Sequence, residues 1–156
     1  MLQSSHDVVY DACRWTSVSA LVIDNLEPGG TFMGFVAFGA IFAFLSVAFG
    51  AFATHVLQGH LSADLVNVFR TGAEYQMYHA LALILVGILV HLDIGGRFMR
   101  AAGWLFGIGI VLFSGSLYLL STTGVPRIGV ITPFGGICFL VGWLLVVFGA
   151  VKAVRR

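Results

Sequence analysis

The sequence predicts an all-α fold, a bundle of four transmembrane helices with a short interfacial helix between the first and second. Two observations carry that prediction. Apolar residues make up 59% of the 156 positions and formally charged ones only 10%, against about 25% charged in an ordinary soluble domain. The few charges also leave uncharged runs of 27 residues between Glu27 and His55, 18 between Glu74 and Asp93, 26 between Arg100 and Arg127, and 24 between Arg127 and Lys152. A helix crosses hydrocarbon in roughly 20 residues at about 1.5 Å each, so four runs of this length predict four spans. The net charge of +1, with basic residues scattered at span ends, gives no concentrated basic surface for nucleic acid.

Residues 1–31 read as a peripheral tail. Asp7, Asp11 and Arg14 interrupt the start, and the apolar stretch from Val18 to Ile23 is short and lacks a basic leader, so a cleaved signal peptide is not expected. With Met33 at the edge of the first span, the tail is either a lineage-specific extension or an upstream start assigned in error. Residues 32–156 form a single membrane domain. Span one, about 32–53, carries small residues at Gly39 and Ala43 and at Ser46, Gly50 and Thr54, spaced to let a neighbouring helix approach closely. After Gly59, Ser62 is placed to cap a short surface helix with Leu65, Val66 and Phe69 on one side.

Span two, about 73–92, opens with Glu74, Tyr75, Gln76, Tyr78 and His79. Span three, about 101–120, has Gly103 and Gly107 for close packing and then Ser114, Ser116 and Tyr118. Span four, about 132–151, begins with Thr132 as a cap and Pro133 in the first turn, where a missing amide hydrogen costs nothing. Along it, Gly135, Gly142 and Gly149 recur every seven residues as a seam against another helix. Cys13 and Cys138 sit in the tail and inside span four, and both are expected as free thiols.

Four spans place both termini and the loop from Asp93 to Arg100 on one side. That side holds Arg14, Arg97, Arg100, Lys152, Arg155 and Arg156, against Arg70 and Arg127 opposite. Lysine and arginine in short flanks favour the cytoplasm, so both termini are expected there. The topology gathers the polar side chains of all four spans in the outer half of the bundle: His55, Glu74, Tyr75, Gln76, Tyr78, His79, Ser114, Ser116, Tyr118 and Thr132. Polar groups in hydrocarbon are costly unless paired, which predicts one shared cluster.

The cluster admits two readings. In one, His79, Glu74 and Tyr75 hold a small ligand, ion or proton, and a carrier of four spans would have to be a dimer. In the other, His79 bonds a hydroxyl such as that of Ser114 or Ser116 as interhelical glue, Tyr75, Tyr78 and Tyr118 form an aromatic belt, and Glu74 faces headgroup water. A bis-histidine haem site from His55 and His79 is chemically conceivable but sets the ligands at different depths. Zinc or copper would have to recruit His55, His60, Glu74 and His79, whose spacing is not fixed. No cofactor or metal is therefore expected. No nucleophile with its base, no phosphate loop and no nucleotide fingerprint is present in the sequence, which gives an enzyme no support.

The segments GAFATHVL from Gly50 to Leu57, FRTGAEYQMYHALALIL from Phe69 to Leu85, the SGSLY of span three, and ITPFGG from Ile131 to Gly136 followed by Gly142 and Trp143 resemble the "domain of unknown function 423" family. These are small four-helix proteins of bacterial inner membranes, to which the eukaryotic transmembrane protein 256 is similar. The resemblance covers about Met33 to Val151. Two departures are Thr54, where the family usually has alanine, and the N-terminal extension. The resemblance implies a fold and an inner (plasma) membrane location rather than an activity. Together with the small-residue seams, it leads to the expectation of a non-enzymatic membrane component with the lipid bilayer as its surroundings, either self-associating as a homo-oligomer or an accessory subunit of a larger membrane complex.

Overall fold

A computed structural model of the chain describes residues 31–154. Helix α1 spans Thr31–His55, α2 Ala63–His91, α3 Gly96–Thr123 and α4 Thr132–Val154, with single 3-10 segments at Leu57–Gly59 and Pro126–Ile131. All four helices are long and apolar enough to cross a membrane. At about 1.5 Å per residue, even the 23-residue α4 exceeds the roughly 30 Å of hydrocarbon. The fold expected from the charge spacing is present, while the tail expected over residues 1–31 lies outside the described residues except for Thr31, which opens α1.

One boundary differs. The surface helix expected after Gly59 is not separate: it forms the first turns of an unbroken 29-residue α2. Ser62 caps it as expected, in extended conformation and accepting from the Leu65 amide at 3.4 Å. Val66 and Phe69 are covered by protein: they are buried with Ala53 and Leu57 and flanked by Phe49, Leu61 and Tyr118. An amphipathic segment lies flat on lipid only when its apolar face has no protein to cover it.

Each helix packs on the next: α1 on α2, α2 on α3, and α3 on α4. The central pair, α2 and α3, contributes most of the core, including Leu83, Val86, Met99, Ala102, Phe106 and Ile110, with Phe35 from α1 and Phe139 from α4. α1 and α4 are the least buried and present long apolar rows outward, among them Phe38, Phe44 and Val47 on α1 and Leu140, Leu144 and Phe148 on α4. In a bilayer these rows meet acyl chains instead of water.

The glycine seam of α4 faces α3. A Cβ on Gly135 would strike the backbone nitrogen of Phe113 and lie 2.8 Å from its Cα, and one on Gly142 would lie 2.6 Å from the Phe106 ring. Gly149 is likewise buried, beside Met99. The expected stripe on α1 divides. Ser46 is buried against α2, whereas Gly50 meets nothing within 4 Å and Thr54 is exposed. On α3, Gly103 lies under the Phe35 ring while Gly107 faces open space. The turn from α2 to α3 uses left-handed backbone at Asp93, Gly95 and Gly96.

Candidate functional site

The helix ends at His55, Ala63, Thr123 and Thr132 form one end of the bundle, and the Asp93 turn with the C-terminal end of α4 forms the other. The polar residues singled out from the sequence lie toward the His55 end. There the structure divides them into an inward set, bonded to one another and to backbone except at Ser114, and an outward set.

Gln76 is the centre of the inward set, 3% exposed. Its Nε2 donates to the Phe42 carbonyl of α1 at 2.8 Å, and its Oε1 accepts from the Tyr118 hydroxyl of α3 at 2.9 Å. One side chain thereby ties three helices. The Tyr118 ring is held between Phe49 and Phe69, with centroids 4.9 and 4.6 Å away. Ser46 on α1 adds a second tie by donating to the Ala73 carbonyl at 2.7 Å.

His79 makes the corresponding connection to α4. Trp143 Nε1 donates to His79 Nε2 at 3.3 Å, and His79 Nδ1 lies 2.8 Å from the Tyr75 carbonyl. Because Nε2 accepts, Nδ1 carries the proton and donates, which assigns a neutral tautomer from the bonding pattern. The imidazole lies flat on the Phe139 ring, 3.4 Å between centroids and 8° between planes. Both nitrogens are thus used within the protein, including the one a haem iron would need. The expected serine partners are not its partners: Ser116 and Thr132 share a hydroxyl pair at 2.7 Å between α3 and α4, with Ser116 also close to the Phe113 carbonyl at 2.8 Å. Thr132 was expected as the cap of α4, yet it already has helical backbone and its hydroxyl bonds across to α3. Ser114 Oγ is buried with no hydrogen-bond partner.

His55, Glu74, Tyr75 and Tyr78 form the outward set, and all four are exposed. Tyr75 and Tyr78 pack edge to face at 6.0 Å. Glu74 sits beside an open groove of about 570 Å³ between α1 and α2, floored by Ser46, Gly50 and Ala73 and walled by Arg70, Met77 and Tyr78. Arg70 is one turn before Glu74, but it donates to Thr54 Oγ1 at 3.3 Å and, with the Gln58 amide oriented by its hydrogen bonds, to Gln58 at 2.8 Å. Glu74 makes no ion pair or hydrogen bond among the described residues. No three His, Cys, Asp or Glu side chains converge there in metal-binding geometry. Cys138 is a free, half-buried thiol, and Cys13 lies outside the described residues.

Two contributors lay outside the set read from the sequence. Trp143 is the partner of His79, and Phe139 supplies the surface on which the imidazole stacks. The signal for Trp143 was available, since an indole N–H deep inside an apolar span needs an acceptor.

A family model described as protein of unknown function, DUF423, matches residues 49–136, which contain every candidate site residue. The UPF0382 membrane protein YwdK of Bacillus subtilis is 47% identical over 118 residues, 76% of this chain and 96% of its own. SSP2132 of Staphylococcus saprophyticus, also named a UPF0382 membrane protein, is 44% identical over 76% of this chain and 97% of its own. SH2409 of Staphylococcus haemolyticus, named likewise, is 41% identical over 77% and 97%. No solved structure matches the chain.

Proposed function

The chain belongs to the DUF423 family of membrane proteins, and from that premise we propose that it is a non-enzymatic, self-associating helix bundle of the inner (plasma) membrane. One observation carries this reading: apart from the Ser114 hydroxyl, the polar side chains turned inward are spent on one another and on backbone, while Glu74 and the groove beside it are left open. Interhelical hydrogen bonds are a common means of fastening helices where lipid removes the hydrophobic drive between them. A groove floored by small residues and edged by an unpaired carboxylate accommodates a helix of a second copy with a donor facing Glu74.

The test is energy transfer between donor- and acceptor-labelled copies in liposomes, with the mass in mild detergent measured alongside. Self-association predicts transfer and a mass above one chain, both lost in Gly50→Phe. That substitution projects a ring toward the groove that Gly50 lines, from a position where an added Cβ meets nothing within 4 Å. A monomeric mass without transfer would overturn the proposal. The six-to-two distribution of Lys and Arg between the two sides supports a cytoplasmic position for both termini.

A second reading, binding of a cation or proton for transport, is favoured by the same open Glu74. His79 is a poor member of such a site because Tyr75 and Trp143 occupy both its nitrogens. Loss of cation uptake in Glu74→Gln liposomes with self-association intact would select this reading over the first.

A further inference from the structure

At the Asp93 end, away from the polar network, a cavity of about 650 Å³ opens between the α2–α3 turn and the end of α4. Arg97 and Lys152 line it from two different helices. Their charged groups lie 5.5 and 5.4 Å from the centre of the same Phe98 ring, so one aromatic side chain attracts both cations beside the cavity. Two like charges lining one cavity repel, and an anion bound in that cavity relieves the repulsion. Asp93 also lines the cavity but forms an ion pair with neither cation among the described residues.

The level of the cavity indicates which anion. Arg100 begins the 26-residue uncharged run and Lys152 ends the 24-residue one, so Arg97 and Lys152 sit where hydrocarbon gives way to headgroups. Basic residues gathered between helices at that level are suited to phosphate. Gly95 gives the first turn of α3 no side-chain cap, and Gly95 and Gly96 both line the same opening.

We propose that this cavity binds a phosphate group, carried by an anionic phospholipid or present as free phosphate. Nothing in this depends on self-association or on which side the termini face. The experiment uses the full chain, purified and delipidated in mild detergent. Phosphatidylglycerol retention is read by native mass spectrometry, and inorganic phosphate binding by the shift in thermal unfolding.

A lipid source predicts one retained phosphatidylglycerol, not displaced by millimolar phosphate, with affinity falling about fivefold for each of Arg97→Gln and Lys152→Gln. A free-phosphate source predicts a stabilising shift by phosphate that the double variant loses, with no selective lipid retention. Both positions are exposed, so the variants fold, and Arg127→Gln at the opposite end leaves binding unchanged. If wild type binds neither probe, if the double variant binds as wild type does, or if Arg127→Gln loses binding as the double variant does, the proposal is overturned.

Discussion

Replacing Gln76 with leucine tests whether the inward polar set fastens the bundle. The change keeps the side chain near its original size and removes two bonds, 2.8 Å to the Phe42 carbonyl and 2.9 Å from the Tyr118 hydroxyl. Interhelical bonds in membranes average about 0.6 kcal/mol and reach about 1.7. The Phe42 carbonyl still accepts within its helix, but the Tyr118 hydroxyl loses its partner, and stranding such a group adds about 1–3 kcal/mol. A cost of about 2 kcal/mol follows for Gln76→Leu. Tyr118→Phe keeps the ring between Phe49 and Phe69 and removes only the hydroxyl, for about 1 kcal/mol. Once either partner is gone the other change has less to remove, so the double variant costs less than the two singles together by about 1 kcal/mol. Reversible unfolding by SDS in mixed micelles, followed by tryptophan fluorescence, supplies all four free energies. A coupling within about 0.5 kcal/mol of zero, the usual limit for independent sites, would refute the clamp.

Four further outcomes are expected. Gly135→Ala forces a methyl onto the Phe113 backbone, which cannot rotate away, and costs about 1–3 kcal/mol in the same assay, whereas Gly115→Ala meets open space and is neutral or better. Ser114→Ala removes a buried hydroxyl that has no partner and leaves stability unchanged or raised, in contrast to Ser46→Ala, which loses its bond to the Ala73 carbonyl. Trp143→Phe keeps an aromatic ring but strips the donor from His79 Nε2. Nitrogen NMR of labelled histidine should show the Nδ1-protonated form in wild type and a mixture of tautomers in the variant. A reporter fused after Arg156 should be active only in its cytoplasmic form; activity only outside the cytoplasm would reverse the topology.

The spans were legible because charge is excluded from hydrocarbon: Glu74, Asp93, Arg100, Arg127 and Lys152 mark their limits in the sequence itself. The glycine seam of α4 was equally legible, since a seven-residue spacing keeps Gly135, Gly142 and Gly149 on one face whatever they meet. Facing was harder to read. Glu74, Tyr75, Gln76, Tyr78 and His79 spread over about 200° of the circumference of α2, more than half the helix, and spacing alone does not say which part of that arc meets α1, α3 or lipid. The structure turns Gln76 and His79 inward and the other three outward. For the same reason the partner of His79 was sought among serines of α3, although the indole of α4 reaches it. The separate surface helix was misread because amphipathicity reports an apolar face without reporting what covers it, and here Ala53, Leu57 and Tyr118 do.

The two outer helices expose most of their surface to lipid, where apolar area gives little reason to stay on the bundle. Their attachment therefore rests on close approach and on directional bonds. α1 is held by Ser46 on Ala73 and by Gln76 on Phe42, and α4 by Trp143 on His79 and by Thr132 on Ser116. Gln76 and His79, three residues apart on α2, each serve a different one of these two helices. The same residues that a sequence reading gathers as a possible ligand site are thus the ones whose removal would free the outer helices. An interior His or Gln in such a bundle marks a ligand site only when some of its bonding atoms remain open, and by that criterion the open carboxylate of Glu74 distinguishes itself from both.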